Sequence, residues 1–260
     1  MNRFKRTLPC FIILTALIMT VLWTGQASAH YPWVAPDKYT LAEGQTPLIR
    51  IGWGHKFPVD GLLKAESLDE ILIVSSSGAK TGLKPLSETE FTTGGKLVGG
   101  AYLVAAKRKS SFYTKTTDGR KAQSKKGLDN AVKCSWSIMS GKAVVNVGGG
   151  QGKVDSVVGH PLEIIPLVNP GQLKVGEDLP VRVLFDGKPH KGVISVTYSG
   201  FSTEKDAFAA TFTTDETGRA AVKITAPGAW LLKIQHERPY PRPEECDVES
   251  YVATLTFEIK

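Results

Sequence analysis

The chain lacks the signatures of the common catalytic scaffolds. Only three cysteines occur in 260 residues, with no C-x-x-C pair, which excludes a thiolate zinc site of the finger or ribbon kind. No G-x-x-x-x-G-K-[ST] loop, G-x-S-x-G elbow or H-E-x-x-H pair occurs, so the phosphate-loop enzymes, the serine hydrolases of that type and the zinc-helix peptidases are excluded. Long helical periodicity is nearly absent after residue 29, which argues against a helical bundle. Low-complexity tracts and strong internal repeats are lacking as well.

What is present begins with an address label. Arg3, Lys5 and Arg6 precede an apolar run from Phe11 to about Trp23, and the small residues Ala27-Ser28-Ala29 follow. This is the pattern of a cleavable secretory signal peptide over residues 1–29, with a single-span anchor as the competing reading. The apolar run is shorter than the roughly 20 residues a spanning helix needs. Cys10 precedes the run, so it is misplaced for lipid attachment. The expected protein is therefore periplasmic, not membrane-spanning after cleavage, and begins at His30. The formal net charge of +7 includes the three basic residues of the leader. The mature excess is milder and favours solubility. Basic residues concentrate in "KRKSSFYTKTTDGRKAQSKK", Lys107 to Lys126. A solvated hairpin or loop is expected there, and no nucleic-acid partner.

Short runs of alternating or β-branched residues recur between Gly, Pro, Asn and Asp, which predicts an all-β protein. Strands are expected in "PLIRIGW", "EILIVSS", "AYLVAAKR", "SSFYTKTT" and "KAVVNVG", and a short helix in "KKGLDNAVKCSWSIM", residues 125–139. The glycine-rich stretch "VGGGQGKVDSVVGHP" reads as a boundary between two β-sandwich domains, 30–158 and 159–260. Regular turns such as Asp186-Gly187 mark the second as an antiparallel, Ig-like sandwich. Cys134 and Cys246 form a possible disulfide, with two unrelated thiols as the alternative.

Five histidines, His30, His55, His160, His190 and His236, carry the remaining chemistry. Cleavage after Ala29 would give His30 an α-amine beside its imidazole. An α-amine titrates near 7.7–8, so it binds metal at neutral pH where a lysine would not. Ile49, Ile51, Trp53 and His55 share one strand parity, and Trp230, Leu232, Ile234 and His236 share another. Each imidazole ends an apolar face. The metal set expected is His30, His55 and His236, with His160 in reserve; His190, in an exposed hairpin turn, is expected to have no role. The competing reading for each is an ordinary half-buried histidine. Amine and imidazole donors suit Ni²⁺ or Co²⁺, with Cu²⁺ or Zn²⁺ as alternatives.

The phrases "AHYPWVAP", "GHKFP", "GHPLEIIPLVNPGQLKVGEDLPVRVLFDGKPHKGVISV", "TTDETGRAAVKITAPGAWLLKIQH" and "YVATLTFEI" together resemble a periplasmic cobalt- and nickel-associated family of unknown function, related to the periplasmic components of energy-coupling-factor nickel and cobalt uptake systems. The resemblance covers nearly all of residues 30–260. It implies two β-sandwiches, the second similar to carboxypeptidase regulatory or transthyretin-like modules, and a non-catalytic protein that binds a divalent transition ion and passes it to a membrane transporter. The family's histidine after the signal falls on His30, its Gly-His on His55, and its late histidine less closely on His236. With no second membrane segment, the transporter would be a separate partner. Two other readings remain open from sequence: a secreted copper oxidase or monooxygenase using the same chelate, and a carbohydrate-binding or adhesion module in which the histidines are incidental.

Overall fold

Between Leu68 and Arg108 the alternation of side chains serves two cores at once. Leu72, Val74, Leu103 and Ala105 point into one, whereas Ile73, Tyr102, Val104 and Ala106 point into the other. A strand covered on both faces reads as a near-continuous apolar run, which is why "ILIV" and "AYLVAA" carry so few polar residues.

The computed structural model describes residues 30–260. The expected leader, with Cys10, lies outside the described residues. The main strands are β1 (Tyr31–Pro36), β2 (Ile49–Gly54), β3 (Leu68–Ser75), β4 (Gly100–Arg108), β5 (Ser111–Thr116), β6 (Gly119–Lys121), β7 (Ala131–Val147), β8 (Leu162–Pro166), β9 (Asp178–Phe185), β10 (Val193–Tyr198), β11 (Ala210–Thr213), β12 (Arg219–Lys223), β13 (Gly228–Pro239) and β14 (Val248–Ile259). The protein is all-β, and its sheets pack in layers.

The middle layer is an 11-stranded sheet with the order β11-β10-β13-β14-β7-β4-β3, ending on residues 80–82 and carrying the β5–β6 hairpin on β7. One face packs on the four-stranded sheet built around β8, β9 and β12, burying Ile164, Val181, Val183 and Val222 against Leu103, Leu232, Leu255 and Phe257. The other face packs on the five-stranded sheet that contains β1 and β2, where Val34, Ile49 and Ile51 meet Val104, Ala143 and Val145. Each fully buried aliphatic side chain in these layers contributes roughly 1.5–3 kcal/mol.

The coil between β7 and β8 contains the boundary at residues 158 and 159. Across it, β7 and β14 run parallel and hydrogen-bonded, from Ser135 against Val248 to Ala143 against Thr256. The middle sheet is thus common to both sides of the boundary. Cys134 and Cys246 are joined in a disulfide with a Cα separation of 4.9 Å, at the start of this parallel pair. The helix expected over residues 125–139 is not formed. Strand β7 begins at Ala131, because its residues are paired on both sides, by β5 and by β14. No helix among the described residues is long and apolar enough to cross a membrane.

Candidate metal centre

Strands β1 and β2 pair antiparallel, with Tyr31 opposite Gly54 and Pro36 opposite Ile49. One step beyond the last pair stand His30 and His55, directly opposite each other. Side chains at such positions are cross-strand neighbours. The two ring centres lie 4.5 Å apart at an interplanar angle of 57°, and the Trp53 ring is centred 5.5 Å from that of His30, nearly perpendicular to it. Two imidazoles sharing an ion at a right angle would place their centres roughly 4.5 Å apart, given metal–nitrogen bonds of about 2.0–2.1 Å.

His55 is fixed from several directions. The Asp60 carboxylate accepts from its backbone N–H at 2.8 Å and from that of Lys56 at 3.1 Å. Gly54 leaves room for this carboxylate, since a Cβ there would come within 2.1 Å of Asp60 Oδ2. The His55 carbonyl accepts from the Asp206 N–H at 2.9 Å, and the ring nitrogen Nδ1 lies 2.9 Å from Asp206 Oδ2. A carboxylate on Nδ1 favours the tautomer that leaves Nε2 with a free lone pair, the arrangement in which a histidine can act as a metal ligand. The second Asp206 oxygen, Oδ1, is buried without a hydrogen-bond partner. Lys233, packed over the Tyr31 ring at 4.3 Å, is held below the usual lysine range by burial, with Asp206 acting in the opposite sense.

His30 is kept below the ordinary imidazole value by partial burial first, then by the nearby charge of His55, with Arg120 adding to the effect and Asp60 opposing it. These effects favour the neutral ring, the form able to donate to a metal. The pair opens into a cleft of about 230 Å³ whose walls include Arg108, Arg120, Lys115 and Lys133.

The remaining histidines lie elsewhere. His236 keeps the parity expected of it, with Trp230, Leu232 and Ile234, but that face of β13 points to the four-stranded sheet. Its ring stands 4.6 Å from His190 and 4.4 Å from Phe185, while its neighbours Gln235 and Glu237 line the His30 cleft on the opposite face. The expected meeting of His236 with His30 and His55 is thus corrected: parity puts it on a buried face, and the face is the wrong one. His190 is half-buried beside His236, so the expectation of an exposed turn is corrected too. His160 is buried, with Nε2 3.2 Å from Glu70 Oε1 and its N–H donating to Glu163 at 2.7 Å. There it helps enclose the buried Lys142–Glu163 pair, 2.8 Å apart, and secures the coil between the two halves. Among the described residues, no three His, Cys, Asp or Glu side chains gather as a metal cluster. The His30–His55 pair supplies two nitrogens, and the fit to an ion requires the third that cleavage would create.

Asp60, Asp206 and the basic walls of the cleft escape a reading of the sequence. Asp60 and Asp206 sit in no motif. The basic run from Lys107 to Lys126 is plain in the sequence and does contain the expected hairpin, β5–β6, but only the fold shows that the hairpin lines the cleft.

These features define an all-β protein with a paired-histidine cleft at the edge of one sheet. The chain belongs to a family defined by a domain of unknown function, DUF4198, whose model matches residues 27–238. Among curated proteins, none matches the chain. Solved structures with some likeness include murine CEACAM1b (8% identity, 88% of this chain and 100% of that one, TM-score 0.21) and a DUF4785 family protein of Legionella pneumophila (10% identity, 81% and 52%, TM-score 0.25). Escherichia coli alpha-2-macroglobulin is a third (8% identity, 89% and 14%, TM-score 0.23). Scores this low carry no argument about function.

Proposed function

We propose that the protein is exported to the periplasm, loses residues 1–29, and there binds a divalent transition ion, nickel or cobalt, as cargo for a membrane uptake transporter. The observation that carries this reading is the cross-strand pair of His30 and His55, with Asp206 on His55 Nδ1. After cleavage the His30 amine and imidazole would chelate the ion and His55 Nε2 would complete a three-nitrogen set. Such a set suits late first-row divalent ions. In this reading the ion is carried and no bond is made or broken. Acidification releases it, because each donor must shed a proton to bind.

The test is calorimetric titration of protein beginning at His30 with Ni²⁺, Co²⁺, Cu²⁺ and Zn²⁺, beside a form with one extra residue ahead of His30. The extension converts the amine to an amide and is expected to weaken binding roughly tenfold or more, about 1.4 kcal/mol or above. Unchanged affinity in the extended form overturns the N-terminal chelate. Oxygen- or peroxide-dependent turnover with copper would turn the reading toward an oxidase.

A further inference from the structure

The cleft that opens from His30 and His55 is lined chiefly by basic side chains. Arg108, Lys115, Arg120 and Lys133 line it, and the single carboxylate in the lining, Glu237, is already paired with Lys133 at 3.3 Å. Among the described residues, none of Arg108, Lys115 and Arg120 has a carboxylate partner within ion-pair distance. Unpaired basic side chains along one cleft favour a ligand of net negative charge.

The polar groups of the cleft form a built row. Ser111 on β5 faces Ser137 on β7, Ser137 faces Ser250 on β14, and Ser250 faces Glu237 on β13. The sheet presents hydroxyls here, in place of the apolar side chains that cover this face further along. Arg108 lies at one end of the row. Its Nη1 donates to Ser111 Oγ at 2.9 Å, its guanidinium stacks over Trp53 at 5.1 Å, and its Nε–H is buried with no acceptor. A buried donor without an acceptor is costly, and a guanidinium edge matches the two oxygens of a carboxylate. The volume, about 230 Å³, is below that of pockets for drug-sized ligands, roughly 300–1,000 Å³, and suits a small acid.

We propose that this cleft takes the transition ion as an anionic complex with a small polycarboxylate, the ion on His30 and His55 and the carboxylates on Arg108, Arg120 and the serine row. This rests on the metal-binding reading above. The acid supplies ligands that the protein lacks, and its charge is what the basic hairpin recognises. Lys115 and Arg120 are the selective elements, since both are exposed on the β5–β6 hairpin and neither is neutralised by a carboxylate among the described residues.

The experiment uses protein beginning at His30, loaded with nickel chloride, with radiolabelled citrate alone, or with nickel and radiolabelled citrate together, then separated from small molecules by rapid gel filtration. Nickel and citrate are expected to elute with the protein in equal amounts, and citrate is expected to raise the retained nickel. In Lys115→Gln with Arg120→Gln, retained citrate should fall roughly tenfold while affinity for hydrated nickel rises, because a repelling charge has gone. Arg108→Lys, which keeps the charge and removes the planar edge, should also lower citrate retention. Nickel held while citrate is excluded, or stripped away by it, overturns this inference and leaves the metal centre standing. Citrate held with no nickel from either source overturns the metal-centre reading, and the chelate with it.

Discussion

His55 and Asp206 are joined twice, main chain to main chain and ring to carboxylate, each at 2.9 Å. Asp206 adopts a left-handed φ of +54° to make both contacts, a conformation that Asp and Asn tolerate better than most residues. Asp206→Asn keeps that backbone preference and the shape of the side chain but removes the charge. Nickel affinity should fall roughly 10–100-fold with little change in melting temperature. Equal affinity in the variant, measured by calorimetry, would remove Asp206 from the centre.

Acid should weaken the fold before any carboxylate titrates. His30, His160, His190 and His236 are each held below the ordinary value of 6.5, with burial the largest cause in every case. A base whose folded pKa is depressed binds more protons unfolded than folded, so stability is full above pH 6.5 and falls as pH drops toward the folded values. The melting temperature is expected to be lower at pH 5.5 than at pH 7.5, and His160→Gln should shrink the difference. A flat profile over that window contradicts the assignment. Further loss below about pH 4.5 would belong to carboxylates such as Glu163, whose burial is outweighed by Lys142 and three backbone donors.

The disulfide closes a loop of 112 residues and ties β7 to the segment leading into β14. On the chain-entropy account a loop of this length contributes on the order of 4–5 kcal/mol. Cys134→Ser with Cys246→Ser should lower unfolding stability by about 2–5 kcal/mol, read as a shift of the denaturant midpoint. Reductant should shift the parent to the same midpoint and leave the variant alone.

Trp33 lies flat across Gly52, its partner in the β1–β2 ladder. A Cβ at residue 52 would stand 2.0 Å from Trp33 Cε2, and the indole is 1% exposed. Gly52→Ala should therefore displace β1 and cost about 1–3 kcal/mol or more. Because His30 directly precedes β1, nickel affinity should fall with stability. A variant as stable as the parent would show that the indole has another place to go.

Alternation alone marks His55 and His236 as the ends of apolar faces, and it is right about both. It has no access to which layer a face meets, so it groups His236 with His30 when the middle sheet separates them. Residues 125–139 read as a helix because Gly, Asp and Asn break the β pattern at 127–130; the strand starts just beyond them and is held by neighbours distant in sequence. Asp206 leaves no trace, since a single aspartate in a polar loop acquires meaning only from the histidine it reaches. The all-β class is legible from short alternating or β-branched runs between turn residues.

Strand β14 lies beside β7 and also fastens β1 from behind, with Thr254 Oγ1 donating to the Pro32 carbonyl at 2.8 Å and Thr256 Oγ1 to that of Val34 at 2.6 Å. A growing chain cannot seat β1 fully until β14 has been made. Contacts so distant along the polypeptide form late and slowly, and the open edge of β7 stays sticky in the meantime. Loss of β14 would therefore unsettle the His30–His55 pair without touching either ring.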